Sequence, residues 1–264
     1  MPDIVRVATV NTQTGRLLGQ PDALSVFAKD QVDILLLQEV FGAEEPEVAR
    51  KLHLQGYRLI AFDRSTGLAI ALHIHSRLVV SDRAGKIIIL QKRGGAAELM
   101  TRHSIIPEHH TRARGILTVV LQTPSGQEIT AVTTHPTVFI RHRARTKHLR
   151  LLQDYLSESY TTVHPLFLGA DMNHYPRAGR YDIAFRKFAQ FREVPIDDVT
   201  WPIKGTKYEW LARAASRISR RPIDTFNGQL DTILYRGDGI QHMKTKVIHV
   251  ESDHRAIISH FSLG

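Results

Sequence analysis

Val32-Asp33-Ile34-Leu35-Leu36-Leu37-Gln38-Glu39-Val40 is an apolar run that ends on an amide and a carboxylate. Its apolar residues follow one another without alternation. That predicts a strand covered on both faces rather than one with a wet side. Glu39 then falls at the exit of a buried strand, where an ionised carboxylate is costly unless it meets a cation or hydrogen bonds. A divalent metal satisfies that requirement, and so does an ordinary salt bridge.

The same design recurs outward along the chain. Thr9-Val10-Asn11, Thr134-His135, Gly169-Ala170-Asp171-Met172-Asn173, Leu230-Asp231-Thr232-Ile233-Leu234 and Ser252-Asp253-His254 each set polar residues at or just after an apolar run. Strand ends are where α/β proteins assemble sites. Each member has a plain structural reading of its own. Asn11 suits a turn. Asp171 and Asn173 either share one side of an extended stretch or form an Asx turn. His135 is one of 15 histidines, held out of helical geometry by Pro136. Asp253 and His254 are neighbours that serve one site without bonding each other, and Asp231 is placed to orient His254. His73, His75, His109 and His110 lack a carboxylate pattern and read as surface or core. The joint occurrence carries the argument.

Around these motifs, Ile4 to Val10, Tyr57 to Phe62, Leu68 to Ile74, Lys86 to Gln91 and Pro165 to Leu168 have strand composition. Gly115 to Leu121 and Glu128 to Thr134 flank Pro124-Ser125-Gly126-Gln127, a hairpin signal. Pro21 to Asp30 predicts a short helix, as do Arg141 to Leu156 and Tyr181 to Phe191. Leu230 to Tyr235, Gln241 to Val250 and Ala256 to Phe261 complete a strand-rich end. Hairpins beside strand–helix–strand units predict two mixed β-sheets packed face to face with helices outside.

The chain has 264 residues, 42% of them hydrophobic, and no linker, low-complexity tract or repeat. It is expected to be a single domain over 1–264 and a monomer. There is no cysteine, which excludes disulfides, thiolate nucleophiles and cysteine-bound zinc. Met1 to Arg6 lacks the apolar core of a signal peptide, and no run is long enough for a membrane span, so a cytoplasmic location is expected. A net charge of +9 and a pI near 9.9 favour polyanionic partners, nucleic acid first.

Together the motifs resemble the endonuclease/exonuclease/phosphatase superfamily, which includes the DNase I-like nucleases. The resemblance runs from Asn11 to His254. Leu37-Gln38-Glu39-Val40, the Gly169 to Asn173 segment and Ser252-Asp253-His254 are its most specific parts. Thr200-Trp201-Pro202 also looks like bacterial members. The resemblance implies a four-layer α/β sandwich and a metal-dependent phosphodiesterase. A nuclease on DNA or RNA leads, and a phosphatase on a small or lipid phosphate follows. The non-enzymatic alternative is a degenerate member that binds nucleic acid or a protein partner. By the same resemblance Asn11 and Glu39, with Asp253, hold Mg2+ or Mn2+. His135 and His254, the latter oriented by Asp231, flank the scissile phosphate. Asp171 and Asn173 position or activate water, and Arg114 reaches a phosphate oxygen. Gln13 stands where many abasic-site endonucleases carry Asp, which weakens that assignment.

Two basic clusters lie outside these motifs. Arg141, Arg143, Arg145, Lys147 and Arg150 follow His135. Lys204, Lys207, Arg213, Arg217, Arg220 and Arg221 precede Asp231, interleaved with Tyr208 and Trp210. They suit a nucleic-acid backbone with a stacked base, or a solvated helix face.

Overall fold

A computed structural model describes residues 2–81, 86–91, 113–136, 142–160, 163–172, 190–202, 209–219 and 230–264. Its elements are β1 (Asp3–Asn11), α1 (Ser25–Lys29), β2 (Ile34–Gln38), α2 (Glu45–Leu54), β3 (Tyr57–Asp63), β4 (Leu68–His73), β5 (Val79–Val80), β6 (Lys86–Gln91), β7 (Arg114–Gln122), β8 (Glu128–Thr134), α3 (His142–Ser159), β9 (Leu166–Asp171), β10 (Arg192–Glu193), α4 (Glu209–Ser219), β11 (Asp231–Arg236), β12 (Ile240–Ile248) and β13 (Ala256–Leu263).

These strands form the two mixed sheets that the sequence predicts. One runs β12-β13-β1-β2-β4-β3 and the other β10-β11-β9-β8-β7-β5, with β6 also paired to β7. Each sheet holds one parallel pair, β1 with β2 and β8 with β9. A parallel pair needs a crossover, and α1 and α3 lie in those crossovers. All other pairs are antiparallel.

Strand periodicity sorts the side chains into layers. Val7, Ile34, Leu36, Ile70, Val119, Ala131, Phe167 and Phe261 fill the space between the sheets. Ala8, Leu35, Leu37 and Ala71 point to the other face of the first sheet, where Phe27, Val48 and Leu52 cover them. Ile116, Val132, Leu166 and Leu168 meet Leu149, Leu152 and Leu156 of α3 on the far face of the second sheet. The result is helix, sheet, sheet, helix. It explains why β2 and β9 read as apolar runs rather than alternating ones.

Two expectations change. Pro21 to Asp30 is not one helix. Asp22 has φ +56°, so the chain turns before a single short helix at Ser25–Lys29. Asp231 and His254 also do not follow strands but stand at the start of β11 and just before β13. Two described helices lie outside the elements assigned from the sequence. One is α2, which begins with Pro at its first turn and acidic residues there, and ends with Lys51 and His53. The other is α4, which realises the solvated helix face given as the alternative for the second basic cluster. The helix expected at Tyr181 to Phe191 lies outside the described residues but for its last two members, which are not helical. No described helix is long and apolar enough to cross a membrane.

Candidate active site

Strand direction brings the motifs to one end of the sandwich. β1, β2, β8 and β9 end there, delivering Asn11, Glu39, His135 and Asp171. β11 is antiparallel to β9 with Asp231 opposite Asp171, and β13 is antiparallel to β1 with Ile257 opposite Thr9. Their first residues therefore lie at the same end. Arg114 opens β7, antiparallel to β8, and so lies beside His135.

A polar floor holds the four strand ends together. The buried Gln38 side chain donates to Thr9 Oγ1 at 3.0 Å and Thr133 Oγ1 at 2.8 Å, which links the two sheets. Gly169 lies against the same spot. A Cβ there would come within 2.7 Å of Leu36 Cδ1 and 2.8 Å of Thr9 Cβ. The close approach of the sheets thus requires glycine two residues before Asp171.

Above this floor, donors converge on one carboxylate oxygen. Asn11 Nδ2 donates to Asp171 Oδ2 at 2.9 Å. His135 Nε2 lies 3.3 Å from the same oxygen, and His254 Nε2 lies 3.8 Å from it. Asp171, His135 and Asn11 are each about 1% exposed. Burial alone would push the Asp171 carboxyl up. The facing His254 imidazolium and the His135 ring, with hydrogen bonds from His135 and Asn11, outweigh it and hold the group well below the usual carboxylate range.

The two imidazoles are held in opposite ways. His254 Nδ1 and Asp231 Oδ2 are 2.8 Å apart. Burial opposes charge on this ring, but Asp231 and Asp171 outweigh it and raise His254 to about 10. Burial also raises the Asp231 carboxyl. Within that pair the charged imidazolium is the firmer assignment, because three carboxylates surround it: Asp231, Asp171 and Asp253. His135 Nδ1 instead receives Arg114 Nη1 at 2.8 Å. The resemblance offers Arg114 a phosphate, and the observed hydrogen bond goes to a histidine.

Glu39 ends its strand with φ +56°, a left-handed conformation uncommon for this residue. Its Oε2 accepts the Thr14 amide at 3.2 Å, and its Oε1 is 4.0 Å from His135 Nε2. Asn11 Oδ1 accepts the Gln13 amide at 2.9 Å, so the residue is a turn former as well as part of the site. The Asp253 carboxyl is raised, first by burial and further by Glu39 and Asp171, with His254 opposing. Asn173 lies outside the described residues.

Three residues missed by the sequence reading support this arrangement. Thr200 Oγ1 accepts the Leu230 and Asp231 amides at 2.8 and 3.0 Å, and its carbonyl accepts the Arg255 amide. Ser252 Oγ donates to the Asn11 carbonyl at 2.8 Å and accepts the His254 amide at 3.2 Å. Thr12 Oγ1 is 3.0 Å from the Gln38 and Glu39 carbonyls. Thr200 and Ser252 lay in runs the sequence singles out, Thr200-Trp201-Pro202 and Ser252-Asp253-His254, whereas Thr12 had no signal.

Two observations bear on a metal. Asp171, Asp231 and His254 have ligand atoms within 4.8 Å of one another, near enough to hold an ion. However, the Asp231–His254 hydrogen bond already occupies two of those atoms. Asn11, Glu39 and Asp253 offer hard oxygens, and Asp253, raised first by burial, is raised further by the Glu39 and Asp171 carboxylates. That donor set fits a hard divalent ion. Asp231 Oδ1 is buried with no hydrogen-bond partner among the described residues, an acceptor left over for water or a ligand.

A two-sheet α/β sandwich with helices on its outer faces is a known class of fold. It is the fold of the endonuclease/exonuclease/phosphatase superfamily. An endonuclease/exonuclease/phosphatase from Bacteroides vulgatus is similar at TM-score 0.69 and 16% identity, over 99% of this chain and 100% of that one. TDP2 from D. rerio, complexed with single-strand DNA product, is similar at 0.68 and 17% identity, over 98% and 99%. A mannosyl-6-phosphatase from Bacteroides thetaiotaomicron is similar at 0.65 and 15% identity, over 97% and 99%. No family model matches the sequence, and no curated protein matches it.

Proposed function

We propose that this protein is a divalent-metal-dependent phosphodiesterase that cleaves nucleic acid by direct attack of water. The observation that carries this reading is the meeting of Asn11, His135 and His254 at one oxygen of Asp171. Donors gathered so densely suit the anionic oxygens of a phosphate. The likeness to phosphoester-handling proteins of the same fold supports the reaction class.

The environments of the side chains suggest their roles. His254 is charged at neutral pH and so acts as a donor to phosphate rather than as a base. Asp171 is ionised and accepts the hydrogen bond of the attacking water. It is a weak base while His254 and His135 face it. A phosphate takes over those donors, and each one it takes returns Asp171 toward ordinary basicity. Substrate binding thus arms the base. Asn173 would help orient the water. A divalent ion held by Asn11, Glu39 and Asp253 would offset negative charge growing on the phosphate oxygens.

Nucleic acid leads as substrate because of the +9 charge and the surface of α4. Trp210 there is 66% exposed, and Arg213 and Arg217 are exposed at positions three and seven further on, the same helix face. Purified protein is incubated with supercoiled plasmid, single-stranded DNA, RNA and a small phosphomonoester, with Mg2+ or EDTA. The expected result is cleavage of a polynucleotide that EDTA abolishes. Turnover of the monoester alone assigns a phosphatase, and binding without turnover under any divalent metal assigns a non-catalytic module. Either outcome overturns the proposal.

A further inference from the structure

Arg114 is 1% exposed, a cation taken almost wholly out of water. Its Nη1 is 2.8 Å from His135 Nδ1. A guanidinium is always charged and has no acceptor, so it must donate this hydrogen bond. Nδ1 of His135 must then accept it, and an accepting ring nitrogen carries no proton. The ring proton therefore sits on Nε2, the atom that faces Asp171 Oδ2 at 3.3 Å and Glu39 Oε1 at 4.0 Å. His254 is oriented from its own Nδ1 by a carboxylate, the opposite partner.

We infer that Arg114 is a positioning residue that locks His135 as the Nε2–H tautomer, giving the site one donor that holds a phosphate oxygen but moves no proton. This rests on the proposed phosphoester site and deepens it by dividing the labour of the two histidines. His254 carries charge to the phosphate. His135 carries one aimed N–H and stays out of proton transfer, because a second proton would sit between its ring and a buried guanidinium. The lock also aims the ring, since Arg114 at the start of β7 and His135 at the end of β8 belong to adjacent strands.

The tautomer can be read in the protein alone. Imidazole 15N shifts are recorded by long-range 1H–15N correlation at neutral pH, with His135 assigned by its loss in His135→Gln. The expected pattern is a bare Nδ1 and a protonated Nε2 in the wild type. In Arg114→Met, Nδ1 is released, the lock on one tautomer is lost and the two ring 15N shifts move toward each other. Turnover falls about 10–100-fold, the usual cost of losing an orienting partner. Arg114→Lys, which keeps a donor, moves back toward wild type in both readouts. A protonated Nδ1 in the wild type overturns the inference, and that measurement needs no variant to fold. Because it needs no substrate either, it is separable from the functional reading. An active enzyme with protonated Nδ1 keeps the reaction and loses the lock, whereas an inactive protein with bare Nδ1 keeps the lock and loses the reaction.

Discussion

Glu39 sits in a backbone conformation that disfavours it. A left-handed φ costs a non-glycine residue on the order of 1 kcal/mol, and asparagine tolerates it better. Glu39→Asn relieves that strain but loses the hydrogen bond from the Thr14 amide, also worth about 1 kcal/mol, so the two changes oppose. The expected outcome is a urea midpoint close to wild type with Mn2+ binding, followed by titration calorimetry, lost or strongly weakened. Asp231→Asn, by contrast, is expected to keep Mn2+ affinity, since that carboxylate is bonded to His254. If Asp231→Asn abolishes binding and Glu39→Asn does not, the ion belongs with Asp171, Asp231 and His254 instead. Gly169 gives a second expectation. Gly169→Ala forces a methyl to within 2.8 Å of Thr9 and Leu36, and overpacking of that kind costs about 1–3 kcal/mol. Thermal unfolding is the check, and an unchanged midpoint contradicts the close approach of the sheets at this point. Side-chain identity at Glu39 and Asp171 was legible as strand-end chemistry. The positive φ of Glu39 was not, because nothing in Gln38-Glu39-Val40 marks a backbone reversal. Nor was the steric need for Gly169, which arises from two strands of the other sheet.

At the scale of elements, β13 carries a pH response. His260 pairs across to Arg6 on β1 and to Lys244 on β12. Burial first, then these two cations, lower its imidazole from 6.5 to about 4, with Lys246 adding and Asp30 opposing. Unfolded, the ring takes a proton near pH 6.5. Folded, it resists until about 4. Protons therefore favour the unfolded chain between those values, so stability is full above 6.5 and falls as pH drops through the window. His73 and His242 are lowered as well, chiefly by burial, and act in the same direction. His260→Gln removes one such group. Urea unfolding at pH 7 and pH 5 is expected to show a smaller loss on acidification than in wild type. An equal loss contradicts this account of β13. Elements with long apolar runs or clear hairpin turns, such as β2, β7, β8 and β9, could be read from the sequence. α2 could not, because its polar face dominates its composition and Val48 and Leu52 read as a face only against a sheet, and α4 was legible only as the alternative to a charge cluster.

For the molecule as a whole, the two-sheet arrangement was legible because hairpins and strand–helix–strand units occurred together. The site was legible as a set of remote motifs, although none was persuasive alone. What the sequence hid is the mutual orientation of those motifs. That orientation makes one histidine charged and gives the other a guanidinium, and it sets Asp171 among donors that a phosphate can claim. The central claim is that these residues form one phosphoester-cleaving centre. The most direct measurement compares Mg2+-dependent turnover of a polynucleotide by the wild type with that by Asp171→Ala and His254→Ala, each checked for native circular dichroism. The account predicts that each folded variant loses at least about a hundredfold in rate, roughly 2.7 kcal/mol of barrier. Folded variants that both retain near-normal turnover would contradict it.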